Sequence, residues 1–177
     1  MNKFEVVSKY ADKGINIPIR KTAKSAGYDL EAAEDTVIYP YMYHLNCLES
    51  YEEALTRKPL GLDTVKELTK ENRPTLISTG LKCALDDGYY LELSPRSSTP
   101  LKYWLMMANS IGIIDGDYYN NPDNEGEIFL QFINLSPYPI EIKKGEAIGQ
   151  AIFKKYGVTD DDVVTGERTG GFGSTNE

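Results

Sequence analysis

Asn109-Ser-Ile-Gly-Ile-Ile-Asp-Gly-Asp-Tyr-Tyr119 sets the frame for the segments around it. Two β-branched residues, Ile113 and Ile114, run into Asp115, and Gly116, Asp117 and Tyr118 then turn the chain. A Gly- and Asn-rich tip follows, and then a second apolar run, Glu127-Ile-Phe-Leu-Gln-Phe-Ile133. The pattern predicts a β-hairpin whose first strand delivers a carboxylate at its end, with backbone polar groups free at Gly112. Taken alone, an Asp at this place starts a turn as readily as it forms a site. The rest of the chain decides between the two.

At 177 residues the chain is long enough for one domain with a genuine core. Fifteen Gly, nine Pro and thirteen Tyr beside short apolar runs predict an all-β protein with many turns. The formal charge of −8 argues against non-specific binding to nucleic acid or to an anionic membrane. An anionic ligand would therefore need local Arg, Lys or a metal. Cys47 and Cys83 are too few for a disulfide framework and stand at no metal-ligand spacing, so both are expected as reduced thiols. The opening Met1-Asn-Lys-Phe-Glu-Val-Val7 holds no long apolar run, which predicts neither a signal peptide nor a membrane span and a cytoplasmic protein.

Strands are expected at Phe4–Val7, Thr36–Tyr39, Thr75–Ser78, Leu81–Ala84 and Tyr89–Leu93. Asp86-Asp-Gly88 signals a hairpin turn between the last two. Leu101–Ala108 fits a short strand or a helical turn, and periodicity leaves both open. Pro139–Lys143 alternates, and Ala147–Phe153 reads as a buried strand after the turn at Lys144-Gly-Glu146.

Residues 41–74 differ in character. Ser50–Leu55 and Leu62–Lys70 have helical spacing, with Leu62, Val65 and Leu68 on one stripe and Ser50 and Glu53 at capping-box spacing. This predicts a helical insertion packed by those three apolar residues. His44, the only histidine, has no ligand partners at metal spacing. The chain thus divides into a β domain, 1–165, and a flexible glycine-rich arm, 166–177.

Five segments carry chemistry: Ala26-Gly-Tyr-Asp-Leu30, Pro95-Arg-Ser-Ser98, Asn109 to Tyr118, Gly145-Glu-Ala-Ile-Gly-Gln150 and Arg168-Thr-Gly-Gly-Phe-Gly-Ser-Thr175. In this order the chain resembles the trimeric deoxyuridine triphosphatase (dUTPase) family, from about residue 4 to the end, with 41–74 outside the resemblance. The resemblance implies an all-β, jelly-roll-like fold in a homotrimer whose sites are shared between subunits. It also implies hydrolysis of dUTP to dUMP and pyrophosphate with Mg2+.

The residues suit that chemistry. Arg96 with the Ser97 and Ser98 hydroxyls offers countercharge and donors for a triphosphate, and the resemblance adds Gln150 there. Asp115 matches the group that positions and deprotonates the water attacking the α-phosphorus. Mg2+ would ride on the triphosphate with mostly water ligands, and Asp29 would touch its hydration shell. Backbone groups at Gly112 and Ile114, with the Asn109 side chain, match the contacts that read uracil. Tyr118 matches the ring beneath the deoxyribose that leaves no space for a 2′-hydroxyl. Phe172, set among glycines with little core to bury it, would stack on the base, while Arg168, Gly173, Ser174 and Thr175 close over the phosphates.

Three departures from the family pattern stand out. Ala147 and Gly149 replace an Arg and an Ala that the fourth motif often carries. Arg168 is separated from Gly-Gly-Phe by Thr169 alone. The tip Tyr119–Gly126 is longer than a tight turn. A related fold, the dCTP deaminase, needs a carboxylate where this chain has Gln131, and an amide cannot take that proton. The other alternative is a dUTP-binding regulator acting on a protein partner through 41–74.

Overall fold

Alternation is clearest along Phe129–Asn134, where Leu130, Phe132 and Asn134 are buried and the residues between them half-buried. The structure is a computed structural model that describes residues 1–41, 59, 61–68, 70, 73–164, 166, 168, 170 and 171, the Leu68 side chain aside. Eleven strands are described: β1 Lys3–Val6, β2 Tyr28–Glu31, β3 Thr36–Ile38, β4 Thr75–Ser78, β5 Leu81–Ala84, β6 Tyr89–Pro95, β7 Leu105–Met107, β8 Gly112–Ile114, β9 Phe129–Asn134, β10 Ile140–Ile142 and β11 Ala147–Lys155. Among the described residues are two short α-helices, α1 Leu62–Leu68 and α2 Ser98–Tyr103.

The strands form four antiparallel sheets, ordered β1-β5, β10-β3, β2-β11-β6-β8 and β4-β9-β7. All four feed one core, from Phe4 and Cys83 through Leu30, Ile38 and Ile77 to Leu93, Leu130, Phe132, Ile142 and Ala151. Asn134, fully buried, donates from Nδ2 to the carbonyls of Ile38 (3.0 Å) and Tyr138 (2.7 Å), so a polar side chain ties β3 to β9 without an orphaned donor. Among the described residues no helix is long and apolar enough to cross a membrane.

The expected all-β class is what the structure has, and the strand at 75–78 and that at 81–84 fall where the sequence puts them. Leu101–Ala108 turns out to be both of its options. Helix α2 runs to Tyr103, Trp104 caps it in the left-handed region (φ 56°), and β7 follows.

Two hairpins are corrected. Asp86-Asp-Gly88 does turn the chain, with the Tyr89 amide on the Asp86 carbonyl at 3.1 Å. It joins two sheets, however, because β5 pairs with β1 while β6 pairs with β11 and β8. Likewise β8 pairs with β6, and β9 pairs with β4 and β7, so the strands flanking Asp115 are not hairpin partners. The core takes opposite sheets from either side of that turn, and a gap opens between them.

The insertion is corrected in part. Helix α1 forms, but Leu62 is 88% exposed and Val65 39%, so the stripe does not bury itself as expected. The expected helix at Ser50–Leu55, its capping pair, His44 and Cys47 lie outside the described residues.

Candidate active site

β8 is the last strand of its sheet, held on one side by β6 in the register Leu93↔Gly112 and Leu91↔Ile114. Gly112 lets the two strands approach closely, since an added Cβ would stand 3.1 Å from Leu93 and push its side chain aside. The other edge of β8 looks across the gap toward Phe129 and Gln131 on β9. A cavity of about 240 Å³ fills the gap, lined by Asn109, Gly112, Ile114, Asp115, Tyr118 and Arg168 among others. Asn109 reaches it from the tight turn after β7, where Ser110 takes φ 61° and the Ile111 amide meets the Asn109 carbonyl at 2.6 Å.

Asp115 ends β8 with its carboxylate 52% exposed, open to water at the cavity mouth. Arg168 comes back from the arm of the same chain and donates from Nη2 to Asp115 and from Nε to Asp117, each at 2.7 Å. Its guanidinium also lies 5.8 Å from the centre of the Tyr118 ring. Tyr118 is 7% exposed, and its hydroxyl donates to the Glu127 carbonyl at 2.9 Å and accepts from Asn124 Nδ2 at 2.8 Å. Burial raises this hydroxyl above the ordinary tyrosine value, with the Asn124 hydrogen bond pulling the other way.

A second group of side chains gathers at the far end of β6. Gln150 on β11 lies opposite Asp29 on β2 and Ser94 on β6. Arg96 Nε stands 3.4 Å from Asp29 Oδ1, its Nη1 donates to the Ala147 carbonyl at 3.3 Å, and Gln150 Nε2 donates to the Pro95 carbonyl at 3.4 Å. Ser97 is exposed, with no capping bond to occupy its hydroxyl, and Ser98 beside it is half-buried. One cation, Arg96, with these hydroxyls and the Gln150 amide beside it makes this a candidate anion cradle.

Comparison with known proteins bears on both groups. The dUTPase family model matches residues 62–176. The deoxyuridine 5′-triphosphate nucleotidohydrolase of Lactococcus lactis is 42% identical over 174 residues, 97% of this chain and 95% of that protein. The chain belongs to the dUTPase family. The Wolinella succinogenes nucleotidohydrolase is 31% identical over 91% of this chain and 87% of its own. The crystal structure of the Streptococcus mutans dUTPase superposes with a TM-score of 0.66 at 33% identity, over 89% of this chain and 98% of that one. The dUTPase family model begins at residue 62, inside the stretch 41–74.

The fold of this dUTPase family member thus brings Asn109, Gly112, Ile114, Asp115 and Tyr118 together around one cavity, and Asp29, Arg96 and Gln150, with Ser97 and Ser98 close by in sequence, around the cradle. It does not bring the two groups together. Asp115 follows Ile114, the partner of Leu91, so it and Arg96 stand roughly 20 Å apart along β6 at ~3.3 Å per residue. Arg168, expected on phosphate, stands with Asp115 instead. Phe172, Gly173, Ser174 and Thr175 lie outside the described residues. Gln131 does line the cavity, an amide where the deaminase needs a base.

Two features escaped the sequence reading. Ala147 borders a second cavity, about 280 Å³, beside Arg96, Ser98, Tyr103, Glu146 and Ile148. Asn121 and Asn124 hold the tip beneath Tyr118, a role that only the density of amide side chains in Asn120-Asn-Pro-Asp-Asn124 could have signalled.

Proposed function

We propose that this chain is a dUTP diphosphatase, hydrolysing dUTP to dUMP and pyrophosphate. The observation that carries the reading is Asp115, water-exposed at the mouth of a cavity walled by a free strand edge and a buried tyrosine. Uracil offers two carbonyls and one N–H, which pair with the backbone at Gly112 and Ile114 and with Asn109 as a neighbouring strand would. Tyr118 lies under the deoxyribose. Asp115 takes a proton from a water as its oxygen bonds the α-phosphorus, the bond to the β-phosphate oxygen breaks, and pyrophosphate leaves. Arg96, Ser97, Ser98 and Gln150 hold the phosphates; Arg168, Ser174 and Thr175 close over them with Gly173, and Phe172 stacks on the base.

The separation of Asp115 from Arg96 within one chain supports sites shared between copies in a homotrimer. The outward face of the β4-β9-β7 sheet supports it too, since Leu76 and Met106 there are 46% and 47% exposed. Mg2+ fits the cradle through water. Asp29 is already paired with Arg96, so its carboxylate suits an outer contact better than a direct metal bond. When bound on the triphosphate, the ion supplies charge withdrawal from the phosphate oxygens. A cytoplasmic setting suits the buried free thiol of Cys83, which burial pushes up to about 12.

The test is pyrophosphate release from dUTP, dCTP, dTTP and UTP, run with analytical ultracentrifugation of the same preparation. Selective turnover of dUTP by a trimer is expected. Release of ammonia from dCTP, or no turnover of dUTP, would overturn the reading.

A further inference from the structure

The tip between Tyr119 and Gly126 is folded by its own amides. Asn121 donates from Nδ2 to the Tyr118 carbonyl (2.9 Å) and to Asn124 Oδ1 (2.8 Å), while its Oδ1 accepts from the amides of Asp123 and Asn124. Asn124 Oδ1 also accepts from the Gly126 amide at 3.0 Å. That bond fixes which end of the Asn124 side chain is oxygen, and so leaves Nδ2 as the donor facing the Tyr118 hydroxyl. Gly126 closes the loop at φ 79°, where a Cβ would stand 2.5 Å from the Tyr118 carbonyl oxygen.

The loop is also moored from outside. Glu125 accepts from the Ser8 amide (2.7 Å) and hydroxyl (2.6 Å), and Lys82 donates to Asn120 Oδ1 at 2.6 Å. Its free donor therefore meets Tyr118 from a fixed base. With one bond given to Glu127 and one accepted from Asn124, the Tyr118 hydroxyl is held from two sides. The arm reaches the same ring: a Cβ on Gly171 would lie 3.0 Å from Tyr118 Cε2.

We propose that Asn124 is a positioning residue that pins the Tyr118 ring and thereby sets how strongly the site rejects ribonucleotides. The inference rests on the reading of Tyr118 as the wall beneath the sugar. dUTP and UTP differ by one hydroxyl, and a wall excludes it only if the ring cannot yield by the few tenths of an ångström that admit it. A ring held at the rim alone would yield; a hydroxyl held on both sides does not.

The experiment measures kcat and KM for dUTP and UTP in wild type, Asn124→Ala, Tyr118→Phe, the double variant and Tyr118→Ala. Asn124→Ala removes the Nδ2 bond to Tyr118 with two bonds inside the tip, and Tyr118→Phe removes both bonds of the hydroxyl; each should lower the dUTP:UTP ratio of kcat/KM roughly 3- to 10-fold. For Asn124→Ala the change should fall on KM for UTP, with kcat for dUTP kept. The double variant should lose little beyond the larger single effect, because both changes cut the same bond. Should Asn124→Ala not fold, Asn124→Ser decides, since a serine hydroxyl can still accept from the Gly126 amide but is too short to reach Tyr118. If Tyr118→Ala narrows the ratio while the folded Asn124 variant leaves it within twofold, the pinning role of Asn124 is overturned and the sugar wall stands. If Tyr118→Ala also leaves the ratio unchanged, the sugar wall itself falls.

Discussion

The Arg168 guanidinium meets the Asp115 carboxylate at 2.7 Å, so the arm's one cation rests on the residue proposed as the base. Asp115 is half exposed, and a pair of this kind contributes about 0–1 kcal/mol. Arg168 also holds Asp117 and its side chain is only 17% exposed, so a triphosphate must replace both bonds to draw it away. Base stacking by Phe172 would add about 1–3 kcal/mol to closure. Tryptic cleavage after Arg168 should slow by about 5- to 100-fold when a non-hydrolysable dUTP analogue is bound. A chain ending at Gly166 should lose most of its turnover. Equal cleavage in both conditions, with full activity of the short chain, would make the arm inert.

Asp115→Asn keeps the shape of the side chain and removes the base. Pyrophosphate release should fall by roughly 10²–10⁴ while binding of the analogue largely persists. The same change weakens the Arg168 pair, so the free protein should be cut slightly faster at Arg168. Near-normal turnover would remove Asp115 from the chemistry.

How much of this was legible in the residues depended on distance along the chain. Strands such as Leu81–Ala84 announce themselves by alternation, and Asp115, Arg96 and Gln150 by motif. Partners of strands do not. Asp86-Asp-Gly88 specifies a reversal, but whether β5 then pairs with β6 or with β1, some 80 residues earlier, depends on how the whole core closes. The same holds for β8, three residues long, whose place at a sheet edge creates the cavity. Asn124 was invisible because an amide in a turn normally bonds its own backbone, and here one end does so while the other reaches Tyr118.

Gly149 offers a test of packing at the cradle. A Cβ there would come within 2.6 Å of Leu130 Cδ1 and 3.2 Å of the Ser94 carbonyl, and Leu130 is fully buried. Gly149→Ala should destabilise by about 1–3 kcal/mol in denaturant unfolding. Adding Leu130→Val should recover part of the loss. An unchanged midpoint for the single variant would show that Leu130 turns aside freely.

Residues 41–74 should be dispensable for folding. Pro40 bridges Asn134 and Thr75 pairs with Phe132, two positions apart on β9, so a short turn can span the excision. Loop-closure entropy changes little with length, and α1 leaves Leu62 in solvent. The shortened chain should keep its assembly state in ultracentrifugation and its dUTP turnover within a few-fold. Loss of either would tie the insertion to the assembly or the site.

The pairing of β2 with β11 governs the order in which this chain can be made. Tyr28–Glu31 leaves the ribosome early, yet its neighbour in the sheet, Ala147–Lys155, is synthesised more than a hundred residues later. β11 also sits between β2 and β6, so neither finds its place until it arrives. At about 5–20 residues per second, the first strands wait many seconds with their apolar faces uncovered. A nonsense mutation before residue 147 therefore yields a product without the middle of its sheet rather than a smaller enzyme.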